Sequence, residues 1–238
     1  MVQAHIPWTP RENNRPESCT ASSESNSFAG CSSGTARLDL SQGGIISALQ
    51  KTAETSAPIH DVISRRWSPR AFDSRPVEPE KLRSLFEAAR WAASSYNAQP
   101  WFFIVATKDD PESFKKMLDS FVEFNQGWAK NAPVLALSVA RMKFENNGEP
   151  NRHAFHDVGQ AAATLALQAT HLSLQVHQMA GILPGKARQI FSIPEGYEAV
   201  AGYAIGYPGD QTTLPDQLRQ RELESRSRKP LASFVFTG

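Results

Sequence analysis

The chain of 238 residues carries 25 Lys and Arg against 24 Asp and Glu, a formal net charge of +1, and 40% hydrophobic residues. That is apolar material for one domain with a substantial core, and a charge this near neutral gives no electrostatic basis for binding nucleic acid. The longest apolar runs stop short of the roughly 20 residues a membrane span needs. Residues 1–10 do not lead a basic segment into an apolar one, so no secretory signal is expected. The two cysteines, Cys19 and Cys31, lie in a polar stretch without metal-ligand spacing, and a reducing, cytoplasmic setting is expected.

Residues 1–56 are rich in Ser, Asn, Thr and Gly and show no sustained period. Such a composition buries too little apolar surface to offset ordering entropy, so the expectation is a disordered polar tail with at most a short helix over 45–53. Globular texture begins near Ile59, and residues 59–64 read as a short helix running into Arg65-Arg66-Trp67-Ser68-Pro69-Arg70. Pro79 opens a helix whose Leu82, Leu85, Phe86 and Ala89 follow the helical repeat. Residues 101–107 form a compact apolar strand, 111–121 a second amphipathic helix, and 133–140 another buried strand. Residues 155–174, rich in Ala and Leu, predict a central helix apolar nearly all round. The stretch 175–182 reads as the end of that helix, 197–206 as a third strand, 214–224 as a charged helix and 233–236 as a last short strand. Interleaved helices and strands imply a single α/β or α+β domain with a small sheet.

Four segments carry the chemistry. Arg66, Ser68 and Arg70 alternate, so an extended backbone projects two forked cations and a hydroxyl to one side, a donor set suited to a phosphate monoester. Taken alone, the string also reads as a solvated basic turn. Ser94, Ser95 and Asn97 place short donors and acceptors on a loop before Gln99-Pro100-Trp101. Met179, Ala180 and Gly181 are small or unbranched residues that either let a planar ligand approach the backbone or simply cap a helix. Arg226 and Arg228 form a second basic pair able to close with the first on one dianion. His153, His156 and Asp157 lack a recognised zinc spacing and no Cys backs them, so no metal is assigned. His177 reads as a helix-end residue near the small-residue segment.

Taken in order, these segments resemble the FMN-dependent nitroreductase family over roughly residues 57–238, leaving the tail unmatched. The resemblance implies an α+β, three-layer α-β-α fold with a small mixed, mainly antiparallel sheet and a C-terminal strand swapped between the chains of a homodimer. It implies that Arg66, Ser68, Arg70, Arg226 and Arg228 hold the FMN phosphate. By the same token Ser94, Ser95 and Asn97 lie against the ribityl chain and ring, and the backbone of Met179, Ala180 and Gly181 meets the flavin N5 and O4 edge. Gln126, with Asn125 beside it, is the nearest counterpart of the family's pyrimidine-edge donors, and no Lys aligns. Ala93 stands where Pro is usual, and Trp67 and Pro69 replace smaller or more polar residues. The implied reaction is ping-pong: NAD(P)H gives a hydride to flavin N5, and a small oxidant, a nitro compound or quinone, takes it up. No catalytic side chain is required. A specialised flavin enzyme of the same fold and a non-catalytic FMN-storage protein are the alternatives.

Overall fold

The structure, a computed structural model, describes residue 49 and residues 51–238, within a compact unit that spans 47–238. The tail expectation therefore falls outside the described residues, except for its last few.

Four strands, β1 (Trp101–Thr107), β2 (Val134–Arg141), β3 (Gln175–Met179) and β4 (Tyr197–Gly206), form one sheet in the order β1-β2-β4-β3. Among the described residues all three pairings are antiparallel, in keeping with the expected α+β fold and its mainly antiparallel sheet. β2 is central and almost wholly buried, as its unbroken apolar run requires. Side chains alternate across the sheet: Val134, Ala136, Tyr203 and Ile205 join α2 (Pro79–Arg90) and α5 (Ala154–His171) in one core layer. On the opposite face α3 (Pro111–Asp119) packs on β1 and β2, and Phe121 lies so close to Gly202 that a Cβ there would come within 2.7 Å of its ring. The remaining helices are α1 (Asp61–Arg65), α4 (Glu123–Ala129), α6 (Pro184–Phe191) and α7 (Asp216–Leu223).

Two expectations fail. The segment 175–182 is no helix end but contains the edge strand β3. α5 stops because Ser173 adopts φ 64, a left-handed cap made without glycine, and Leu174 N–H then donates to Ala169 O. Within this chain the expected strand over 233–236 is instead a 3-10 turn at Leu231–Ser233 followed by exposed Phe234, Val235 and Phe236, and no strand among the described residues pairs with it.

Candidate functional site

The basic motif leaves α1 in extended backbone, and burial alternates along it. Trp67 and Pro69 turn into the core while Arg66, Ser68 and Arg70 stay half-exposed together. Trp67, 6% exposed, is thus the wedge that holds the motif down, and its N–H donates to Gln175 Oε1 at 3.2 Å. Arg66 Nη1 donates to Ser68 Oγ at 3.2 Å. The buried Glu222 carboxylate, delivered by α7, accepts from the N–H groups of Arg70 at 2.8 Å and Ala71 at 3.1 Å. The chain after α7 returns Arg226 and Arg228 to the same place. Burial first, then the charges of Arg226 and Arg228, pull the Arg66 guanidinium below its ordinary pKa. Among the described residues the arginine ion pairs are those of Arg65, Arg90, Arg141 and Arg219, and none of Arg66, Arg70, Arg226 or Arg228 is among them. The Glu222 carboxylate sits beside Arg70 but accepts from backbone N–H groups, and guanidinium groups clustered outside ion pairs suit a phosphate dianion.

β3 and α4 line this corner. His177 sits on the strand, correcting its assignment to a helix end, and its Nδ1–H donates to Pro69 O at 2.8 Å. Its ring lies 4.5 Å from that of Trp128. Burial, reinforced by the charges of Arg70 and Arg66, lowers His177 to about 4, so the imidazole is neutral at pH 7. Among the described residues, Arg70 Nε and Trp128 Nε1 are buried here without a hydrogen-bond partner. Both groups only donate, so an anionic or carbonyl-bearing ligand such as FMN fits them.

Gly181 is needed for packing, rather than as a helix cap or an open approach. Its carbonyl accepts from Asn125 Nδ2 at 3.0 Å and Val122 N at 3.1 Å. An added Cβ would collide with the Asn125 amide and approach Val122 Cγ2 to 2.9 Å. Met179 is buried at the end of β3 and Ala180 is exposed. The Gln126 amide donates one Nε2 hydrogen to Phe121 O at 2.7 Å, which leaves its oxygen and its second N–H for a ligand.

The second candidate loop is built by strain and local bonds. Tyr96, Asn97 and Gln99 take φ of 52, 54 and 45, left-handed conformations costing on the order of 1 kcal/mol each. Ser94 Oγ accepts from Gln99 N at 3.1 Å, and Asn97 Oδ1 accepts from Gln99 Nε2 at 3.2 Å. Ser95 N–H donates at 3.0 Å to Oδ2 of Asp157, a buried carboxylate in the first turn of α5.

α5 is the ruler between the two corners. Near its start Asp157 holds the Ser94–Asn97 turn; near its end Thr170 donates to Gln175 Oε1, the same oxygen that takes the Trp67 N–H. The helical rise from Asp157 to Thr170 is about 20 Å. The sheet agrees, since the first loop feeds β1 and the basic motif backs onto β3, the opposite edge. One chain therefore brings Arg66, Ser68, Arg70, Arg226 and Arg228 together with Met179, Ala180, Gly181, Asn125 and Gln126. It does not bring Ser94, Ser95 and Asn97 to them. Sequence reasoning missed Glu222, on a helix charged all round; Gln175 and Trp128, which carry no signal; and the loop-holding role of Asp157, whose only hint was an acid in a first helical turn.

The sequence profile of the nitroreductase family matches residues 63–207. The major NAD(P)H-flavin oxidoreductase of Aliivibrio fischeri is 30% identical over 194 residues, covering 63% of this chain and 86% of its own. FMN reductase [NAD(P)H] of Bacillus subtilis (strain 168) is 27% identical over 168 residues, covering 63% and 66%. A solved oxidoreductase containing FMN superimposes with a TM-score of 0.74 and 38% identity over 78% of this chain and 94% of its own. With the profile matching well over half of its length and the fold shared throughout the matched region, this chain belongs to the nitroreductase family.

Proposed function

We propose that this chain, an FMN-dependent NAD(P)H oxidoreductase, reduces flat electron-poor acceptors, nitro compounds or quinones, in a site that two copies complete together. Arg66, Ser68, Arg70, Arg226 and Arg228 bind the FMN phosphate; the corner of β3 and α4 takes the ring from one side. The loop bearing Ser94, Ser95 and Asn97 reaches the same flavin from a second copy of the chain. The observation that carries this reading is the separation of about 20 Å along α5 between two sets of groups that suit one ligand. A homodimer also covers the apolar surface one chain leaves open, including Phe155 on α5 and Phe234, Val235 and Phe236 at the C-terminus, which has the composition to add as a strand to a partner.

FMN held by the arginine cluster would supply the redox chemistry, a hydride transfer between NAD(P)H and the second substrate. The chain's own residues bind and orient. The guanidinium cluster neutralises the phosphate, neutral His177 holds the basic motif through Pro69 O without adding a competing charge, and the strained loop presents Ser94 and Asn97 in a fixed geometry. The test is anaerobic reduction of the FMN-loaded protein by NADH or NADPH, followed by reoxidation with a nitroaromatic or a quinone. Flavin that stays oxidised in the presence of both pyridine nucleotides argues instead for storage of FMN. A monomer at all concentrations in sedimentation removes the two-copy site.

A further inference from the structure

Residues 51–53 precede the region matched by the family profile, yet they are bonded to both arms of the phosphate clamp. Ala53 N–H donates to Ser64 O at 2.8 Å, at the end of α1 just before Arg66. Arg226 Nη1 donates to that same Ser64 oxygen at 2.6 Å and to Lys51 O at 2.7 Å. Both hydrogens of Nη1 are thereby committed to backbone, and the remaining three N–H donors of the planar fork have their direction fixed. Lys51 Nζ lies 5.5 Å from the Trp67 ring centroid and donates to Glu222 O at 2.8 Å. Glu222 is the residue whose carboxylate holds the Arg70 and Ala71 N–H groups. The segment thus ties the basic motif and the C-terminal arginine together from outside the cluster.

We infer that residues 51–53 are a positioning element for the phosphate clamp, which pre-orients Arg226 and the 66–71 backbone so that anion binding does not have to order them. The inference rests on the FMN reading above. A side chain held in its bound direction before the ligand arrives spares the ordering cost that otherwise weakens binding. It also gives the unusual Trp67 a purpose, as the aromatic ring that faces the Lys51 charge.

The test compares FMN with riboflavin, which lacks the phosphate, by fluorescence titration. The proteins are the full-length chain, a full-length Lys51→Ala, Ala53→Pro double variant, and a chain shortened to begin at residue 54. In both altered proteins FMN affinity is expected to fall about tenfold or more, the scale of one charge-assisted hydrogen bond, while riboflavin affinity holds. A shortened chain that fails to fold leaves the double variant to give the answer. Equal losses for FMN and riboflavin, or no loss for either, overturn the positioning role. A full-length chain that takes up no FMN overturns the parent reading and this one with it, and is told apart from the other failures by the wild-type titration alone.

Discussion

The two corners of the molecule solve different problems. The corner at β3 is made of charge: guanidinium groups brought together in extended backbone, held by buried acceptors such as Gln175 and Glu222, and outside the ion pairs made among the described residues. The corner at β1 is made of shape: three left-handed residues locked by serine and asparagine side chains and one buried aspartate. A phosphate responds to the first kind of site and a neutral ring system to the second. The difference teaches that a family motif string, contiguous in an alignment, divides into halves with separate physics, and that each half can be probed with its own ligand.

The largest effect expected is at the charged corner and depends on pH. His177 titrates at about 4 in the folded chain against 6.5 unfolded. Above pH 6.5 the ring is neutral in both states; between about 4 and 6.5 only the unfolded chain takes the proton, so stability falls as pH drops through that window. The loss is at most about 3 kcal/mol. Urea unfolding from pH 7 to 4.5 measures it, and His177→Gln should flatten the dependence. An unchanged slope in that variant would show that the corner's stability is set elsewhere.

Arg66→Ala should cost about 1.5–3 kcal/mol of FMN binding, or about 10- to 150-fold, with riboflavin unaffected. If riboflavin binding drops by the same factor, the division between a phosphate corner and a ring corner is wrong. Glu222→Ala strands the N–H groups of Arg70 and Ala71 and should lower unfolding free energy by about 1–3 kcal/mol. Glu222→Gln keeps an accepting oxygen and should recover most of that in the same denaturation experiment. Asp157→Ala releases one hydrogen bond from the β1 loop and should cost about 1 kcal/mol. Unlike Arg66→Ala it should weaken FMN and riboflavin alike, so a phosphate-dependent loss in that variant would erase the contrast.

How much of this was legible in the sequence follows the same line. The helix at Pro79 and the strands at 101–107 and 197–206 carry strong period and composition, and they stand where expected. β3 was hidden because Val176 alone of its five residues is a strong strand former and because a serine, not a glycine, ends the helix before it. The alternation of Arg66, Ser68 and Arg70 was readable since it needs only extended backbone, and Trp67 became intelligible only once its ring was seen turned inward. The buried acids could not be read at all. Glu222 and Asp157 are defined by which backbone N–H groups reach them across about 150 and 62 residues of chain, and no local pattern records that.

The length of α5 has a consequence for how lesions combine. If each site takes its charged corner from one chain and its shaped corner from the other, a dimer of Arg66→Ala chains has two sites damaged alike, and so does a dimer of Asp157→Ala chains. A mixed dimer collects both lesions in one site and leaves the other whole. Two variants weak on their own should therefore regain, when unfolded and refolded together, about a quarter of the wild-type capacity for tight FMN binding under random pairing. With the two half-sites so divided, α5 would make defective copies of this chain able to repair one another.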